Sequence, residues 1–299
     1  MCSARGLLPL LAVIVVSVLA VFFPSSSRSA PGSPASVLVG AGDISECDNP
    51  GAEATAKLLD AIPGTVFTLG DNAYESGSAT EFSACYEPSW GRHKSRTRPA
   101  AGNHEYETPG AADYYAYFGP AAGEPGKGYY SYDLGSWHIV VLNSNCSEVG
   151  GCHAGSPQER WLRVDLAANP TRCTLAYWHH PRFSSGEWHG SFPMMQPIWQ
   201  ALYDAGADVI LAGHEHNYER FAPQDPRGAP DATRGIRQFV SGTGGKSHYP
   251  LKPGIANSEV RNDNTYGVLK LTLHSASYEW EFVPVTGGTF VDSGSAPCQ

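Results

Sequence analysis

Thr65-Val66-Phe67-Thr68-Leu69-Gly70-Asp71-Asn72-Ala73-Tyr74 decides the fold: a short apolar, β-branched run stops at a glycine, and an aspartate follows at once. Such a run reads as a buried strand, and a donor just beyond its end sits where an α/β sheet opens a crevice. The pattern recurs. Val37-Leu38-Val39 leads to Gly42-Asp43, Thr174 to Tyr177 to His179-His180-Pro181, and Val209-Ile210-Leu211 to Gly213-His214-Glu215-His216; Gly102-Asn103-His104-Glu105 is the fifth motif. Between them, Ala52 to Ile62 has helical apolar spacing that stops at Pro63-Gly64. Gln158 to Ala168 carries Trp161, Leu162 and Leu166 on one face, and Met195 to Ala205 is again helical. Trp137 to Leu142 is a further strand. Strands alternating with helices predict an α/β fold. After Arg237 the pattern changes: Gln238 to Val240, Gly267 to Leu273 and Tyr278 to Val285 read as successive strands that complete a second sheet. The expected architecture is a two-sheet sandwich built from βαβ units and flanked by helices.

The 299 residues, 41% hydrophobic and 16% charged, suffice for a substantial core and exclude a disordered chain. A formal charge of −9 argues against a nucleic-acid-binding surface, so an anionic substrate needs a local cationic site, which bound metal ions can supply. Residues 1–30 read as a secretory signal, with Arg5 ahead of an apolar run from Leu7 to Phe23. Residues 31–36 are a linker and 37–299 a single catalytic domain. The chain is expected to be secreted, extracellular, periplasmic or at the cell surface; an uncleaved N-terminal segment would instead be a membrane anchor, because the run is near the ~17-residue lower limit for spanning. Of seven cysteines Cys2 lies in the signal, and the remaining six favour disulfides in an exported chain. The pairing expected is Cys146 with Cys152 across a Gly-rich loop, Cys47 with Cys85 between two loops, and Cys173 with Cys298 at the tail. Spacing alone does not select it.

The five motifs offer carboxylate, amide, phenol and imidazole donors, which suit hard or borderline divalent and trivalent cations, and none contains a cysteine. Glycines before Asp43 and Asp71 remove side-chain bulk where backbone must approach a metal pocket. His214 and His216 point to one side only if the backbone between them is strand-like, which would let one short segment serve two neighbouring ions.

This ordered set resembles the calcineurin-like metallophosphoesterase superfamily and, within it, the purple acid phosphatase branch in a compact single-domain form. Tyr74 is the discriminating residue, since that branch places a tyrosinate on a ferric ion. The similarity extends through Asn217-Tyr218-Glu219-Arg220, Phe239 to Gly245 and Tyr266 to Leu271. The resemblance implies a four-layer αββα sandwich. It implies that Asp43, Tyr74 and His216 bind one metal, that Asn103, His179 and His214 bind a second, and that Asp71 bridges them. The first ion would be iron(III), the second iron(II), zinc or manganese. It further implies that His104 contacts the substrate phosphate and assists the leaving alcohol, with His189 in the place of a second substrate-facing histidine. Which of the two is the general acid stays open. The implied reaction is hydrolysis of small organic phosphate monoesters by direct attack of a metal-bound hydroxide. The alternative is a phosphodiesterase acting on nucleotides or lipid head groups, and a third reading is a surface protein that keeps the fold without hydrolysis. Oligomeric state is not legible.

Other residues near the motifs are expected to be structural. His180 packs, Glu105 holds His104 or a ligand, and Arg220 is a salt-bridge partner. The aromatic group Tyr114, Tyr115, Tyr117, Phe118, Tyr129, Tyr130 and Tyr132 is expected in core and sheet packing rather than in a substrate pocket.

Overall fold

The structure, a computed structural model, describes residues 1–2 and 35–299. The expected signal, apart from its first two residues, and most of the linker therefore lie outside the described residues. No helix among the described residues is long and apolar enough to cross a membrane.

Among the described residues thirteen strands follow one another: β1 (Ser36–Ala41), β2 (Thr65–Leu69), β3 (Thr97–Ala100), β4 (Tyr130–Leu134), β5 (Trp137–Val141), β6 (Cys173–Tyr177) and β7 (Val209–Ala212), then β8 (Tyr218–Phe221), β9 (Arg237–Ser241), β10 (Ser258–Asn262), β11 (Gly267–Leu273), β12 (Ser277–Pro284) and β13 (Ser293–Pro297). They form a six-stranded sheet in the order β13-β12-β11-β1-β2-β3 and a seven-stranded sheet in the order β10-β8-β9-β7-β6-β5-β4. Within these, β1-β2-β3 and β5-β6-β7-β9 run parallel. The connections from β1 to β2 to β3 and from β5 to β6 to β7 pass through helices, as crossover geometry requires, whereas β7 reaches its parallel neighbour β9 through β8, which pairs antiparallel with β9.

Strand alternation builds four layers from this topology. Leu38, Phe67, Leu69, Ile139, Val141, Leu175, Tyr177, Val209, Leu211, Leu269 and Leu271 point inward and form the core between the sheets. Their neighbours point outward: Val39, Val66 and Val268 meet helices Gly51–Ala61 and Ala112–Phe118, while Val140, Ala176 and Ile210 meet helices Pro157–Ala168 and Gln196–Asp204. Two sheets with a helical layer outside each are the expected αββα sandwich. The helix at Pro157 starts where its sequence dictates, with the Ser156 hydroxyl accepting from Glu159 N and proline at the first position, whose missing N–H costs nothing there. Tyr114, Tyr115 and Phe118 are buried in the helix-to-sheet layer, Tyr129 lies in the other, and Tyr130 and Tyr132 pack on the inter-sheet core.

The C-terminal strands are divided differently from the sequence expectation. β9 is inserted beside β7 in the seven-stranded sheet, whereas β11 and β12 extend the other sheet from β1. Apolar alternation marks a segment as strand, but its neighbour is set by hydrogen bonds between residues more than two hundred positions apart, such as Leu38 with Leu271.

The three expected disulfides form, Cys47–Cys85, Cys146–Cys152 and Cys173–Cys298. The last joins the first residue of β6 to the chain just after β13 and closes 125 residues. Because a bridge restrains the unfolded chain more as its loop lengthens, replacing both partners by Ser should cost about 2–5 kcal/mol in urea-unfolding free energy.

His138 on β5 bridges Asp133 on β4 (2.9 Å) and Asp165 on the helix behind it (2.8 Å). Burial resists its charge, but these two carboxylates outweigh burial and raise its pKa. A raised folded-state pKa means stabilisation that is complete below the unfolded imidazole value of about 6.5 and is lost as pH rises through the folded value. Unfolding free energy should therefore fall across that window, and His138→Gln should flatten this component.

Candidate metal centre

All five motifs meet at one edge, where the parallel strands of both sheets end. Asp43 follows β1, Asp71 follows β2, Asn103 follows β3, His179 follows β6 and His214 follows β7. Backbone pairing continues past the strand ends and ties the loops together: Asp43 N donates to Gly70 O (3.1 Å), Gly213 N to His179 O (2.9 Å), and Gly42 N to Ser241 O of the opposite sheet (2.9 Å). Close approach explains the glycines. A Cβ on Gly70, whose φ is +87°, would lie 2.6 Å from His179 Nδ1, and one on Gly102 would lie 2.1 Å from Asp71 Oδ1. Asp43, Asp71 and His214 themselves take the left-handed conformation, with φ of 60°, 50° and 70°. Non-glycine residues rarely take that conformation, and three of them at one edge of the sandwich single it out as a candidate functional site.

The donors gather in two groups. In one, Tyr74 Oη lies 3.0 Å from Asp43 Oδ1 and 3.2 Å from His216 Nε2. In the other, His179 Nε2 lies 3.0 Å from Asn103 Oδ1 and 3.1 Å from His214 Nδ1. Asp71 Oδ2 reaches both, 3.0 Å from Tyr74 Oη and 3.2 Å from His179 Nε2. Asp43, Asp71, Tyr74, His179 and His216 are buried; Asn103 and His214 are partly exposed, so the cluster opens to solvent on their side.

Metal ions fit this donor set on the structure's own terms. One phenol hydrogen faces two carboxylate oxygens and an imidazole nitrogen, so most of these lone pairs have no proton between them. Leu69 O accepts from His179 Nδ1 (2.7 Å) and Ser247 O from His216 Nδ1 (2.7 Å), which fixes each ring with its Nε2 lone pair aimed into the cluster. Positive charge is in demand. Burial resists a charge on His179, yet Asp71 overcomes it and pushes the imidazole up to about 9. Burial likewise opposes the Asp71 carboxylate, and the His179 charge holds it far below the usual range. Burial, then Asp43 and Asp71, drive the Tyr74 phenol well above its ordinary value. A cation would relieve each of these conflicts.

His216 and His214 do reach different groups, but not by strand alternation. The segment Gly213 to Asn217 is outside any strand, and the left-handed turn at His214 separates the two rings. Glu105 supports the backbone rather than His104: its carboxylate accepts from Asp71 N (3.0 Å), Asn72 N (2.7 Å) and Gly102 N (2.6 Å). Burial, with Asp71 beside it, pushes Glu105 up to about 7. His180 is tied through Nδ1 to Ser144 Oγ (2.8 Å) while its ring packs 4.3 Å from the His214 ring, near enough to His179 and His214 for a ring nitrogen to join theirs around an ion, and burial lowers its pKa to about 3. Arg220 pairs with Asp292 (2.7 Å) and Glu259.

The two proposed substrate-facing histidines lie against different members of the cluster. His104 Nε2 is 3.8 Å from Asp71 Oδ2 and its ring centroid 4.6 Å from that of Tyr74. The His189 ring lies 4.2 Å from the His214 ring, and its backbone N donates to Glu215 Oε1 (2.9 Å). Three residues absent from the sequence reading also stand here. Lys246 Nζ lies 4.5 Å from the Tyr74 ring centroid and pairs with Glu46 (2.9 Å) and Glu75; Tyr249 stacks on His216 at 3.6 Å; Trp188 stacks on Tyr249 at 4.1 Å. Lys246 and Tyr249 follow β9, a parallel strand ending at the same edge, and that placement was the available signal.

Residues 37–218 match the family described as calcineurin-like phosphoesterase. The chain is 35% identical over 100 residues to purple acid phosphatase 21 of Arabidopsis thaliana, a match covering 32% of this chain and 22% of that protein. It is 24% identical over 234 residues to an acid phosphatase of Aspergillus ficuum, covering 58% of this chain and 38% of that one. The matches thus span well under half the length of these curated relatives. Among solved structures, a purple acid phosphatase from yellow lupin seeds superposes with a TM-score of 0.70 at 20% identity, over 90% of this chain and 55% of that one. A Plasmodium protein described as the anchor in the inner membrane complex gives the same score at 14% identity, over 89% and 90%. At these identities the likeness is one of fold.

Proposed function

The chain belongs to the calcineurin-like phosphoesterase family, and from that premise we propose that it is a secreted, two-metal phosphomonoesterase of the purple acid phosphatase kind, acting on small organic phosphate esters. The observation that carries the reading is the reach of Asp71 Oδ2 into both donor groups. Asp43, Tyr74 and His216 would hold one ion, iron(III); Asn103, His179 and His214 would hold the other, iron(II), zinc or manganese; Asp71 would serve both. When bound, such a pair neutralises the phosphoryl oxygens and activates water for attack near neutral pH.

The chain's own residues supply the rest. Asp71 and Asp43 set where the phosphate can sit, and the Glu105 carboxylate holds the backbone of Asp71 and Gly102 in register. His104 lies by Asp71 and His189 by His214, and one of them protonates the departing alkoxide. His104 Nδ1 donates to Glu75 O, which leaves its Nε2 facing the cluster, where it has a proton to give only while the ring is an imidazolium. The three disulfides suit an oxidising compartment, which supports export.

Metal-loaded protein should hydrolyse p-nitrophenyl phosphate in clear preference to bis-p-nitrophenyl phosphate. A preference for the diester would reassign the protein as a phosphodiesterase, and hydrolysis of neither ester would leave a non-catalytic role. Concentrated protein should show the violet or pink tyrosinate-to-iron band, whereas colourless protein holding only zinc would remove iron and the Tyr74 assignment.

A further inference from the structure

We propose that Trp188 and Tyr249 form a leaving-group subsite that stacks the planar aromatic group of a phosphate ester, an inference that rests on the phosphoesterase reading above. Three rings form a ladder from the donor cluster to solvent. Tyr249 lies on His216 with centroids 3.6 Å apart and planes 16° from parallel, and Trp188 lies on Tyr249 at 4.1 Å and 30°. Trp188 is 61% exposed, the one aromatic among the large apolar side chains left mostly in solvent across the described residues. Isolated surface apolar groups need no explanation, but an indole beside a candidate catalytic cluster and aligned with its rings does.

The platform is built rather than loose. Glu187 N donates to Pro250 O (3.0 Å) and Lys252 N to Ser185 O (2.9 Å), so the loop bearing Trp188 is zipped to the loop bearing Tyr249. The Glu215 carboxylate, between His214 and His216 in sequence, accepts from His189 N (2.9 Å) and Gly190 N, which clamps the same loop to the cluster. Gly186 makes room for that clamp, since a Cβ there would lie 2.0 Å from the Glu215 carboxyl carbon. Tyr249 N is in turn held by His216 O (3.1 Å). A ring arriving with its phosphate at the cluster would therefore meet a preset aromatic edge and face and lose little freedom in docking. Stacking depends on a π-face rather than on particular polar groups, so aryl esters and nucleotides share the chemistry while glycerol esters lack it.

The test compares kcat/KM for p-nitrophenyl phosphate, adenosine 5′-monophosphate and glycerol 2-phosphate in wild type, Trp188→Ala and Trp188→Phe, each metal-loaded. Trp188→Ala should lower the aromatic-to-glycerol ratio about five- to tenfold, through KM rather than kcat, because stacking holds ground and transition states alike. Trp188→Phe should restore most of it. A fall for the aryl ester alone places the subsite against the phosphate; a fall for the nucleotide too extends it to a base beyond the ribose. An active wild type whose ratio is unchanged in Trp188→Ala, or not restored by Phe, overturns this proposal alone. A wild type inactive on every ester overturns the phosphoesterase reading and this one with it.

Discussion

Replacing Asp71 by Asn is expected to lower p-nitrophenyl phosphate turnover about a thousandfold or more, the scale of losing a central charge in a preorganised electrostatic site. The substitution is nearly isosteric, so the loss would not come from misfolding. Asn keeps an oxygen able to accept from His104 N, as Asp71 Oδ1 does at 3.0 Å. What it removes is the negative charge at the one atom lying 3.0 Å from Tyr74 and 3.2 Å from His179, so both donor groups are weakened together. Circular dichroism should stay native while bound metal falls. Near-normal turnover with unchanged metal content would refute the assignment.

Glu105→Leu should be the most destabilising single change at this edge, at about 3–5 kcal/mol. Glu105 is fully buried, and its two oxygens satisfy the backbone N–H groups of Asp71, Asn72 and Gly102. Leucine fills the volume but leaves three buried donors unpaired, each of which keeps its desolvation penalty. The same N–H groups fix the turns after β2 and β3, so surviving protein should also bind metal poorly. Glu105→Gln retains one accepting oxygen and should fall between the two in denaturant unfolding. A leucine variant as stable as wild type would show that these hydrogen bonds contribute nothing net.

Much of this edge was legible because the parallel strands repeat one pattern. Apolar runs ending in Gly-Asp, His-His or Gly-His mark both the strand and the residue it delivers, and β1, β2, β6 and β7 each place a donor at the same end of the sandwich. β3 gave no such signal: Thr97-Arg98-Pro99-Ala100 is short, with a charge and a proline, and only its parallel pairing to β2 makes it a strand. Its proline is tolerated because β3 is an edge of its sheet. The pairing of β11 with β1 was invisible for a different reason, since period-2 alternation names a face but no partner. His214 shows the limit of local reasoning: His-x-His spacing suggested a strand, whereas a left-handed residue that only tertiary contacts can hold splits the two rings. Lys246 and Tyr249 had only their place after β9 as a signal, and Trp188 had none, because it lies on a loop whose position depends on hydrogen bonds to other loops.

Metal stoichiometry on protein purified from its native host tests the central claim most directly. About two ions per chain are expected, iron among them, from a donor set split by Asp71, with loss of one or both in the Asp71→Asn variant. Fully active protein carrying no stoichiometric metal, or an Asp71→Asn variant that keeps both ions, would contradict it.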